Sequence, residues 1–81
     1  IEGFDIDLNF AVGNKIVFKV IAPGHPFLIK LKPGTGKKNL VKGVDNNGIA
    51  KGVIEWVPTE TGTYYYQCLK HKGMVGKIII S

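Results

Sequence analysis

One cysteine, two histidines and one methionine are the soft metal donors of this 81-residue chain, and three of the four stand together. They fall in Cys68-Leu69-Lys70-His71-Lys72-Gly73-Met74, while the fourth, His25, sits far away in Pro23-Gly24-His25-Pro26. A thiolate, two imidazoles and a thioether make a soft, mixed set. Two histidines and a cysteine in a trigonal plane, with a weak axial methionine, are the donors of type 1 (blue) copper. The spacing suits convergence: Cys68 closes a tyrosine-rich strand, His71 occupies the turn, and Met74 opens the last strand. His25, in a loop at the same end of a sandwich, would complete the set.

Taken singly, each residue has a more ordinary reading. A lone cysteine ending a strand is usually a small buried hydrophobe, a histidine beside proline a turn residue, and a methionine core filler. Together those readings require every soft donor in the chain to fall into one metal pattern by chance. Other chemistries fit less well. Structural zinc takes four Cys or His ligands, and the chain has three. A Cys–His nucleophile pair lacks an orienting third group and an oxyanion site, and no Gly-rich phosphate loop leads into a helix. The chain is therefore expected to be a binding protein and not an enzyme.

The donors need a scaffold, and 81 residues make one domain, 1–81, near the size at which a single core is only marginally sufficient. Such cores often carry a staple. One cysteine cannot form an internal disulfide, which leaves a bound metal as the natural candidate. The net charge of +5 comes entirely from lysine. Without arginine, the bidentate reader of phosphate and guanine, nucleic acid is a poor fit as a partner. No apolar run approaches the roughly 20 residues of a membrane span, so no span is expected, and Ile1-Glu2-Gly3-Phe4 has no signal-peptide pattern.

Strand periodicity dominates. Phe4, Ile6, Leu8 and Phe10 alternate with polar residues, as do Ile16, Phe18 and Val20. Further runs occur at Phe27–Leu31, Val53–Val57, Thr63–Cys68 and Val75–Ile80. Turn signals separate them at Ala22-Pro23-Gly24, Pro33-Gly34-Thr35-Gly36, Asn46-Asn47-Gly48 and Thr61-Gly62. The pattern predicts an all-β Greek-key sandwich of about seven strands. Residues 33–52 are the least regular: a short strand at Leu40–Val44, a helical turn and plain loop all fit.

The stretch Gly62-Thr63-Tyr64-Tyr65-Tyr66-Gln67-Cys68-Leu69-Lys70-His71-Lys72-Gly73-Met74-Val75-Gly76-Lys77-Ile78 resembles the copper loop of the cupredoxins, among them plastocyanins, amicyanins and pseudoazurins. Gly-Met-Val-Gly-Lys is especially similar to plastocyanin, whereas the short C-x2-H-x2-M spacing resembles amicyanin. The resemblance implies one copper ion, Cu(I) or Cu(II), held by His25, Cys68, His71 and Met74, in a one-electron carrier between redox proteins. His71 would be the electron exit, framed by Pro23, Gly24 and Gly73. The resemblance also implies a monomer in the periplasm or another exported compartment, and a tyrosine corner at Tyr64. Lys70 and Lys72 flank His71, so an acidic docking surface is expected on the partner. A copper-delivery module and a domain of a larger redox enzyme are the alternatives. Three departures bear on the site, one being Lys70, whose N–H can donate to the sulfur where plastocyanin has a proline. Pro26 replaces an asparagine whose N–H would bond the cysteine sulfur, and proline has none. Gln67 stands where plastocyanin has a tyrosine linked to a second electron route, so that route does not carry over.

Overall fold

The computed structural model describes residues 6–71 and 73–81, and alternation of apolar residues dictates its architecture. Seven strands form: β1 (Leu8–Phe10), β2 (Ile16–Ile21), β3 (Phe27–Lys30), β4 (Val44–Asp45), β5 (Lys51–Trp56), β6 (Gly62–Cys68) and β7 (Val75–Ile80). One sheet has the order β1-β7-β6-β3 and the other β2-β5-β4. β1 runs parallel to β7, and the remaining pairs are antiparallel. There is no helix among the described residues, so none could cross a membrane.

Side chains of the smaller sheet, Ile16, Phe18, Val20, Ile54 and Trp56, meet Phe27, Ile29, Tyr66, Ile78 and Ile80 of the larger one in a single core. In β2 the alternation is strict, buried and exposed residues succeeding one another from Ile16 to Ile21. This is the sandwich that the period-two pattern requires. The tyrosine corner forms as expected, with the Tyr64 hydroxyl donating to the Glu60 carbonyl at 2.9 Å.

Two regions differ from the expectation. Phe4 lies outside the described residues, and Ile6 is 54 % exposed, so the inward alternation begins only at Leu8. Ile6 contributes its backbone instead. Its N–H donates to the Tyr66 hydroxyl at 2.9 Å, and that hydroxyl donates to its carbonyl at 2.6 Å. The short strand of the irregular stretch is Val44–Asp45, later than Leu40–Val44, because it pairs with Glu55 and Trp56 at the open side of β5. Residues on either side of it in that stretch serve β3. Val41 N–H donates to the Ile29 carbonyl, Leu31 N–H to the Asn39 carbonyl, and Phe27 N–H to the Ile49 carbonyl. Asn47 completes the edge with its side chain, accepting from Ile29 N–H at 2.8 Å and donating to the Ile29 carbonyl at 3.0 Å. A sheet edge that would otherwise present unpaired polar groups is thereby closed.

β3 is buried on both faces. Its outward residues Leu28 and Lys30 are covered by the following loop, and Lys30 is 1 % exposed. The Lys30 ammonium donates to the carbonyls of Gly34, at 2.5 Å, and Gly36, at 3.0 Å. Burial lowers its pKa from the ordinary lysine value. The carbonyls supply the hydrogen bonds without which such a charge would be too costly to bury.

In the larger sheet Tyr66 faces Gly76 across β6 and β7. A Cβ on Gly76 would run into the Tyr66 ring and hydroxyl. The ring cannot easily retreat, since it stacks on Phe27 at 5.5 Å and its hydroxyl is held by Ile6. Gly76→Ala is accordingly expected to destabilise the fold by about 1–3 kcal/mol, the usual range for overpacking. Denaturant unfolding measures this directly; an unchanged midpoint would show that the ring moves freely.

Candidate metal centre

Two segments bring the donors together, and each is shaped by local sequence. In the first, Ala22-Pro23-Gly24-His25 closes a turn with His25 N–H donating to the Ala22 carbonyl at 2.8 Å. Proline fixes the second residue and Gly24 takes φ 79°, the left-handed value that the third position of a type II turn demands. The turn ends β2 and delivers His25 to the start of β3.

The second segment follows β6. The β3–β6 ladder continues past its last paired residues, Leu69 N–H donating to the Pro26 carbonyl at 3.1 Å. The β6–β7 ladder does the same, Cys68 N–H donating to the Met74 carbonyl at 2.9 Å. A turn from His71 to Met74 is closed by Met74 N–H donating to the His71 carbonyl at 3.0 Å. Cys68 is thus fixed in a ladder on both sides. Pro26 lacks an N–H but contributes its carbonyl to that ladder.

The three donors converge at this end of the sandwich. His25 Nδ1 and His71 Nδ1 are 3.1 Å apart, and Cys68 Sγ lies 3.6 Å from the first and 3.3 Å from the second. Cys68 is wholly buried, His25 half-buried and His71 exposed. The imidazole rings are tilted at 43° with centroids 4.6 Å apart. Met74 stands beside them, half-buried, with its backbone bonded to both Cys68 and His71. No other His, Cys, Asp or Glu joins the group among the described residues.

The triangle has the dimensions of a metal site. A point in its plane lies about 1.9 Å from all three atoms, against typical metal bonds of roughly 2.0–2.1 Å to imidazole nitrogen and 2.3 Å to thiolate sulfur. An ion therefore fits close to the plane with an expansion of a few tenths of an ångström. An imidazole–imidazole hydrogen bond would by itself explain the nitrogen–nitrogen separation. The buried sulfur takes the third vertex at nearly the same spacing, within hydrogen-bonding reach of both rings. The three atoms form a group that could hold a metal ion between them.

His25, Cys68 and His71 thus form the cluster that their sequence pattern suggested, with Met74 next to it. A surface groove of about 540 Å³ between Leu40, Trp56 and Tyr64 is lined by none of the four. Sequence reasoning gave no structural part to Gln67, whose side chain is wholly buried and bonded into the loop that carries His71. Its place immediately before Cys68 was the sequence signal available. Lys72 lies outside the described residues.

The burial of Cys68 has a direct chemical readout. In the folded, metal-free protein its thiol should react with Ellman's reagent far more slowly than in denaturant, since the thiolate must be reached to react. Equal rates would mean that the sulfur is open to solvent. Comparison of the chain with known protein families and with curated proteins gives no match.

Proposed function

We propose that this protein is a type 1 copper protein that carries single electrons between redox partners. The observation that supports the reading most is the buried sulfur completing a compact triangle with two imidazole nitrogens. Copper bound there would cycle between Cu(I) and Cu(II) and so hold or release one electron. Copper suits the donors better than zinc does: thiolate and thioether are soft, and structural zinc would want a fourth Cys, His or carboxylate. The weight of the fold rests on keeping the donors still. Cys68 is locked between two ladders, and His25 hangs on a turn with a fixed backbone, so a change of charge at the centre meets a frame that resists rearrangement. The delivery reading would favour an open site, and a wholly buried sulfur speaks against it.

His71 is the exposed member of the set, and Pro23, Gly24 and Gly73 are also exposed and small or apolar. It is the natural exit for an electron, and it catalyses no reaction of its own. Lys70, also exposed, places positive charge beside it. The proposal includes an acidic partner surface, a monomeric carrier, and work in the periplasm or another exported compartment.

Addition of one equivalent of Cu(II) should produce an intense visible thiolate-to-copper charge-transfer band, which Cys68→Ser abolishes. The bound ion should also stabilise the fold, by roughly 2.7 kcal/mol when present at about 100 times its dissociation constant. Colour that survives loss of Cys68 would refute the site. Steering is tested with small redox reagents of opposite charge. Oxidation of the reduced protein by ferricyanide should slow as salt rises and slow again in Lys70→Gln, because exposed charges are screened over roughly 8–10 Å. A cationic cobalt(III) oxidant should show the reverse salt dependence. Rates indifferent to salt with both reagents would remove steering from the reading.

A further inference from the structure

Gln67 precedes Cys68 on β6, points to the opposite face of the sheet, and is wholly buried. A primary amide in such a position is costly unless each polar atom is satisfied. Its Nε2 donates to the His71 carbonyl at 2.9 Å and to the Cys68 carbonyl at 3.2 Å. Its Oε1 accepts from Gly34 N–H at 3.1 Å. The partners fix the orientation of the amide. Two carbonyls can only accept and an N–H can only donate, so the reversed amide would face like groups on both sides.

The amide thereby joins three pieces of chain. One is the end of β6, which holds the sulfur. Another is the loop that carries His71, whose carbonyl receives both Gln67 Nε2 and Met74 N–H. The third is the 34–36 loop, itself held by the Lys30 ammonium at Gly34 and Gly36 and by Gly36 N–H donating to the Leu69 carbonyl at 3.0 Å. His71 is the donor that most needs such support, being exposed and beyond the last ladder bond of β6.

Resting on the copper reading above, we propose that Gln67 is a positioning residue of the metal centre. Its amide sets where His71 presents Nδ1, and couples that ligand to the 34–36 loop on the outer face of the sheet. Hydrogen bonds behind the ligands commonly govern affinity and electronic structure at metal sites, and their loss typically costs 10–100-fold in affinity.

Two variants separate positioning from mere filling of space. Gln67→Met keeps the approximate volume and removes the hydrogen bonds. Gln67→Glu keeps an acceptor for Gly34 but sets oxygen against the two carbonyls. Both should bind Cu(II) about 10–100-fold more weakly than the unmodified protein, with a shifted charge-transfer band and altered copper hyperfine splitting. A residue that only fills space would lower the melting temperature and leave the spectrum of the loaded protein unchanged, and that result would overturn the proposal. A second measurement needs neither metal nor variant. Hydrogen exchange of the metal-free protein should show the Gly34 and Met74 amides opening together, as one unit linked through Gln67. Independent exchange of the two amides would overturn the coupling, even if both variants fail to fold. A missing charge-transfer band in the unmodified protein would instead count against the copper reading, while the exchange data would still decide the role of Gln67.

Discussion

Tyr66, at the middle of β6, has one ring and one hydroxyl, and both are committed. The ring stacks on Phe27 of β3 and lies against Gly76 of β7; the hydroxyl holds both backbone groups of Ile6. One side chain thus binds the strand to both its neighbours and fastens the start of the described chain across the sheet. Phe27 also pairs with Cys68, so the same stack that organises the core sets the height of the sulfur. If the ring were displaced, the pairings that define the metal end would lose their reference.

Burial of β6 on both sides extends this constraint to the ligands. The inward face carries Tyr64, Tyr66 and Cys68, while the outward face carries Gln67 under the 34–36 loop. A strand in one sheet of a small sandwich ordinarily leaves one face to water. Here the chain after β3 turns back over that face, and Lys30 and Gln67 are buried with the Lys30 ammonium and the Gln67 Oε1 bonded to its backbone. In 81 residues there is little apolar area to spare. Polar groups satisfied by main chain do much of the work of fixing the loops.

The parts that local pattern controls were legible in the sequence. Strict alternation gives β2, glycine at the third place of a turn gives the approach to His25, and the spacing of Cys68, His71 and Met74 gives their convergence after β6. Ile6 was misread because alternation reports a tendency to bury and not where the strand begins. Residues 33–52 were illegible for a different reason. Their bonds run to β3 through single residues, Asn39, Val41, Asn47 and Ile49, with no repeat that a periodicity could reveal. Lys30 and Gln67 look like surface residues in sequence because the cover that buries them is non-local.

The donors are unevenly distributed along the chain, and this bears on the order of events during folding. Cys68 and His71 are three residues apart, and His25 is 43 residues from Cys68. A disordered chain that holds Cys68, His71 and Met74 in one short stretch can already chelate a soft ion there. Affinity for the unfolded chain subtracts from whatever stability the ion adds to the native one. If a metal binds at this cluster, its leverage on folding resides mainly in His25, the one distant donor, whose capture would close the long loop between β2 and β6. An ion that arrives early is held by the local chelate and waits for the sandwich to bring His25 to it. An ion that arrives late meets a site already built.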